Sequence, residues 1–160
     1  MDKFKKINIC IIRNDKMGDM ILTFPIIKAI KLSYPNSNIV VICSNTNSFL
    51  CEEAPFIDKY YVLDKKSNLN LKLKTFIKFS RLSFDLIFNF NQNIETFFLL
   101  LIGKAPEKSI LIYLSRYGNP MFSKLLQRLT SKILNFNYII INRKNFFENK
   151  LNFHQTEMMY

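Results

Sequence analysis

The sequence is poor in the residues that punctuate or cross-link a chain. Three glycines and five prolines in 160 residues exclude a fibrous or low-complexity fold. Tryptophan is absent and His154 is the only histidine, so a histidine-dependent catalytic triad would have to recruit that single residue. The three cysteines, Cys10, Cys43 and Cys51, are odd in number and form no CxxC pair. They read as reduced, buried thiols in a reducing compartment, and no Cys/His cluster points to a metal. Long apolar runs are missing too. The opening run Ile7–Ile12 is cut off by Arg13, Asp15 and Lys16 with no small-residue cleavage site after it, unlike a signal peptide. Phe97–Ile102 is far short of the roughly 20 residues that cross a bilayer. The expectation is a cytoplasmic protein without a transmembrane helix.

What is present is core material. Hydrophobic residues make up 49% and aromatics 14%, with 16 phenylalanines, enough for one ordinary globular domain and too much for a disordered chain. Lys+Arg 23 against Asp+Glu 12 gives a net charge of +11 and a preference for anionic partners. The lysines are scattered among asparagine, isoleucine and phenylalanine, and no RNP, zinc-finger or helix-turn-helix pattern accompanies them, so nucleic acid is not expected as a partner.

The apolar pattern alternates between two periods. Ile7–Ile12, Asn38–Cys43, Lys59–Leu63, Asp85–Phe90 and Ser109–Tyr113 read as short strands, the first two apolar enough to be buried on both faces. Between them Asp19–Lys31, Asn45–Glu53, Leu69–Leu82 and Ile94–Ile102 read as helices, the first with Pro25 interrupting its early turns. Met121–Leu134 has helical spacing, Tyr138–Ile141 reads as a further strand, and His154–Tyr160 begins another helical pattern. Strand–helix alternation predicts an α/β domain: a Rossmann-like parallel sheet with helices on both faces.

In such a sheet, ligands bind outside the carboxyl ends of the strands, which directs attention to Arg13-Asn14-Asp15-Lys16-Met17-Gly18-Asp19 after the first strand. Gly18 allows a tight turn and close ligand approach. Asp19 opens the helix, where free N–H groups and the positive end of the helix dipole favour a carboxylate. Read from the residues alone, the pair is first of all a turn glycine and a helix-starting aspartate. The segment is neither GxGxxG nor a P-loop.

The wider stretch, from Ile11-Ile12-Arg13-Asn14-Asp15-Lys16-Met17-Gly18-Asp19 through Thr23-Phe24-Pro25 to Tyr34-Pro35, resembles the opening of glycosyltransferase family 9, the lipopolysaccharide heptosyltransferases and their relatives. Ala54-Pro55-Phe56-Ile57-Asp58 and Phe84-Asp85-Leu86-Ile87 continue the likeness, in order and at compatible spacing, over roughly the first hundred residues. The resemblance implies the N-terminal half of a GT-B glycosyltransferase. Residues 1–142 would form the acceptor-side domain, and residues 143–160 a linker starting the crossover to a C-terminal domain that lies outside this sequence. It implies inverting transfer of a sugar from a nucleotide-sugar donor, ADP-heptose being the family's usual substrate, to a lipopolysaccharide-core or related lipid-linked glycan acceptor, with no metal or other cofactor. Asp19 matches the family's general base, and Arg13, Lys16 and Gly18 would line the same cleft and bind acceptor or phosphate groups.

The sequence departs from the family in two places. Family members are about twice as long, so the chain reads as truncated, with its donor site supplied through the missing domain. Asn89-Phe90-Asn91-Gln92-Asn93 also replaces the charged residues usual after the fourth strand. The alternative is a non-catalytic module that binds anionic lipid or glycan, through the lysines at 65, 66, 72, 74 and 78, peripheral to the inner face of the inner membrane.

Overall fold

A computed structural model describes residues 6–64, 67–91, 93–113 and 136–141. Its element order is β1 (Asn8–Arg13), α1 (Met17–Ser33), β2 (Asn38–Cys43), α2 (Ser48–Glu53), β3 (Lys59–Val62), α3 (Leu69–Ser80), β4 (Leu86–Asn89), α4 (Ile94–Ile102), β5 (Glu107–Tyr113) and β6 (Phe136–Ile141). The strands form one parallel sheet in the order β3-β2-β1-β4-β5-β6, with Asn8 opposite Asn38 and Ile12 opposite Asn89. That order reverses between β1 and β4, which is the doubly wound arrangement.

The near-continuous apolar strands follow from burial on both faces. In β1, Ile9 and Ile11 face one core with Ile39, Val41, Met20 and Ile27, beneath α1 and α2. Cys10 and Ile12 face the other core with Val40, Ile42, Phe79, Leu99 and Leu100, beneath α3 and α4. Each fully buried isoleucine contributes on the order of 2–3 kcal/mol of transfer free energy.

The expected strands and helices recur with ends shifted by at most three residues. Helix α1 begins at Met17 and runs unbroken through Pro25. Pro25 and Ile21 both lie on the exposed side, so the carbonyl that loses its helical partner faces water, while Met20, Thr23 and Ile27 anchor the opposite face. Helix α2 is shorter at its start than expected, because Asn45–Asn47 are taken up by a turn closed by Asn47. Strand β5 starts two residues earlier, at Glu107. The expected helix Met121–Leu134, the linker from residue 143 and the pattern His154–Tyr160 lie outside the described residues.

Two aspartates of the quoted segments sit at the amino-terminal edge of the sheet. Asp58 accepts from Ile39 N–H at 2.7 Å while its own N–H donates to the Ile39 carbonyl at 3.0 Å. Asp85 repeats the reciprocal clamp on Asn8, at 2.8 Å each way. Both are on the far side of the sheet from the β1–α1 loop. They hold strand starts rather than ligands.

Candidate active site at the switch point

The β1–α1 loop sits at the carboxyl edge of the sheet where the strand order reverses. Lys16, Met17 and Gly18 are exposed on its rim and Asp19 is half-buried beside them. Lys16 is the N-cap of α1 but offers no side-chain acceptor, and the Met20 N–H to Lys16 carbonyl bond of 3.2 Å opens the helical ladder. The amides before it therefore lack an intrahelical partner and face the crevice. A Cβ added at Gly18 would meet nothing within 4 Å, so the space beside it is open.

Arg13 lies beneath the loop with 2% of its surface exposed. Its Nη1 donates to the Phe90 carbonyl at 2.6 Å and its Nε to the Asp19 carbonyl at 3.1 Å. The guanidinium also pairs with Asp15 at 3.3 Å and with Asp19 Oδ1 at 3.2 Å. One buried cation thus ties the end of β1, the start of α1 and the end of β4 together. It fixes one oxygen of Asp19 from below.

Asparagines complete the frame. Asn14 Oδ1 accepts from Asn91 Nδ2 at 2.8 Å and from Asn93 Nδ2 at 3.2 Å, while Asn14 Nδ2 donates to the Leu63 carbonyl at 3.1 Å. Asn47, fully buried, donates to the Arg13 carbonyl at 3.1 Å, and Ser44 Oγ donates to the Asp15 carbonyl at 3.0 Å. Four strand ends are thereby locked around the loop. The Asn-rich run after β4 adds side-chain bonds across the switch point, where β1 and β4 pair directly. Asn14 belongs to the segment after β1 that the sequence points to, whereas Ser44 and Asn47 do not stand out in it, although polar residues directly after apolar strands are a usable signal for this role.

Beside the loop, between the end of β3 and α3, a half-open groove of about 560 Å³ is lined by Asn45, Asp64, Ser67, Lys72, Thr75 and Lys78 among others. Among the described residues no group of three or more His, Cys, Asp or Glu side chains could hold a metal ion, and no helix is long and apolar enough to cross a membrane.

The fold and the site together define a doubly wound α/β domain with a polar crevice at its switch point. No family model matches the chain. A Haemophilus influenzae (strain ATCC 51907 / DSM 11121 / KW20 / Rd) protein named "Putative glycosyltransferase" is 31% identical over 70 residues, covering 44% of this chain and 20% of that protein. Among solved structures, the glycosyl transferase family 9 protein from Veillonella parvula DSM 2008 superposes with a TM-score of 0.70 at 19% identity, covering 99% of this chain and 40% of that one. The E. coli heptosyltransferase WaaC with ADP superposes at 0.62 and 10% identity, covering 93% and 48%. At these identities the likeness is one of fold, and that fold is the Rossmann-like α/β domain of family 9 glycosyltransferase structures. The chain spans a fifth of the length of the curated relative and less than half of each of these structures.

Proposed function

We propose that this chain is the acceptor-side domain of a family 9, heptosyltransferase-like glycosyltransferase, with Asp19 as general base. The observation that carries the reading is Asp19 itself: a half-buried carboxylate at the switch point, one oxygen fixed by Arg13 and the other without a hydrogen bond among the described residues. In the reaction, the free oxygen takes the proton of an acceptor hydroxyl while that hydroxyl's oxygen bonds to the anomeric carbon. The bond from that carbon to the nucleotide diphosphate breaks on the opposite face, and the diphosphate leaves with the electron pair. The sugar's configuration inverts.

Within this reading Arg13 is a positioning residue, because its donors are used inside the frame. Lys16 and the open amides around Gly18 are the groups left to receive a phosphate or an acidic sugar. ADP-heptose as donor and a lipid-linked glycan as acceptor, at the inner face of a membrane, belong to the same proposal.

The test is transfer of labelled heptose from ADP-heptose to a lipopolysaccharide-core acceptor by the full-length protein that carries this chain. Asp19→Asn is expected to lower kcat by about 10²–10⁴-fold with the fold retained by circular dichroism. Wild-type transfer by Asp19→Asn would remove the base assignment, and no transfer from any nucleotide sugar would favour the non-catalytic binding module.

A further inference from the structure

Among the described residues, eleven large hydrophobic side chains are exposed, and seven of them lie on α3 and α4. On α3, Leu69, Leu73 and Ile77 recur every four residues and form a stripe along one face. On α4, Ile94, Phe98 and Leu101 form the face opposite Thr96, Leu99 and Leu100, which pack on the sheet. Leu69 is 70% exposed and Ile94 85%, so these are not marginal cases.

The two stripes are continuous. Phe76, next to the α3 stripe, meets Phe98 edge-to-face at 5.2 Å between ring centroids. Lys72 Nζ joins Glu95 Oε1 across the helix pair at 2.7 Å. Around the apolar face stand Lys74, Lys78 and Arg81, with Lys104 just past α4, all exposed. Helix α3 has no acidic residue, and the single acid of α4, Glu95, is paired with Lys72.

We propose that this outer α3–α4 face docks on the surface of an anionic lipid bilayer. An apolar face with a cationic rim and no unpaired acid matches an anionic interface in both respects. The side chains enter the headgroup–acyl boundary, and the lysines and arginine meet lipid phosphates. The protein's net charge of +11 adds attraction at longer range. The placement also fits the crevice. Asn93, the N-cap of α4, donates to Asn14 at 3.2 Å, so the docking face begins at the edge that carries Asp19. What the docked crevice then does rests on the proposed function, whereas the docking itself does not.

The chain has no tryptophan, so Leu73→Trp places a sole tryptophan, excited selectively over the seven tyrosines, on the docking face. It is titrated, as the 160-residue chain, with vesicles of phosphatidylcholine alone and with vesicles of phosphatidylcholine mixed with anionic phosphatidylglycerol, whose negative surface potential attracts basic residues. The expected result is a blue shift with the anionic vesicles only. Adding Ile77→Ser and Phe98→Ser, or Lys74→Glu and Arg81→Glu, should weaken partition at least tenfold while circular dichroism stays unchanged. Three results would overturn the proposal: no shift with anionic vesicles, partition that both sets of substitutions leave unaltered, or a concentration-dependent shift without vesicles, which marks a contact between copies. No sugar donor or acceptor enters this assay, so it can fail while the transferase reading stands, and the reverse.

Discussion

Single residues decide the quality of the crevice, and Arg13 more than any other. Its guanidinium is buried and serves the Phe90 and Asp19 carbonyls and two carboxylates at once. Arg13→Ala removes the donor to the buried Phe90 carbonyl and the cation beside Asp15 and Asp19, and unfolding in urea should show a loss of about 3–5 kcal/mol. Arg13→Lys should recover little, since an ammonium cannot reproduce the planar fork. The glycines divide sharply. A Cβ at Gly103 would lie 2.7 Å from Ile87 Cδ1 and 2.9 Å from the Leu99 carbonyl, so Gly103→Ala should cost about 1–3 kcal/mol. Gly18→Ala meets open space in the first turn of a helix and should raise stability by up to about 1 kcal/mol. A fall in transfer by that same stable variant would identify the space beside Gly18 as the ligand's. The thiols also separate. Burial pushes Cys10 far up, whereas a hydrogen bond from the Cys43 thiol holds Cys51 below its ordinary value. All three thiols are buried, so iodoacetamide should reach Cys51, on the short helix α2, through local opening and Cys10, in the central strand, only on global unfolding. Equal rates would contradict this environment.

At the scale of elements, the starts of β1, β2, α3 and α4 are held by side chains that bond the backbone. Asp58 and Asp85 each clamp the first residues of a neighbouring strand in both directions. Asp85→Ala should therefore cost about 1–3 kcal/mol in thermal or denaturant unfolding while leaving transfer per folded molecule unchanged. A loss of activity without a loss of stability would move Asp85 into the site. Helix α4 opens with a capping box in which Asn93 accepts from Thr96 N–H at 2.8 Å. Element identity was legible from periodicity: Asn38–Cys43 and Ile94–Ile102 have the ends the sequence suggests. Pro25 misleads as a breaker, because exposure of the orphaned carbonyl is a tertiary property that local sequence does not carry.

At the scale of the whole molecule, the sheet sets the gradient of stability. Strand β1 is paired on both sides and buried on both faces, whereas β3 is an edge strand with no buried residue. Native-state hydrogen exchange should find the amides of Ile9–Ile12 exchanging only through global unfolding and those of β3 through much smaller openings. Comparable protection in both strands would mean that β3 is covered on its free edge.

The sequence by itself determined the alternation of strands and helices, and with it the α/β class, because burial on two faces and helix amphipathicity are written in local spacing. It also placed Gly18 and Asp19 after the first strand, where a doubly wound sheet opens toward ligand. The tertiary structure decided what surrounds them. Arg13 is drawn under the loop, and Asn14, Asn47, Asn91 and Asn93 become a frame, because residues up to 79 positions apart meet only when the sheet brings the ends of β1 and β4 together. It likewise decided that the apolar stripes of α3 and α4 share one outer face, which no reading of either helix alone contains.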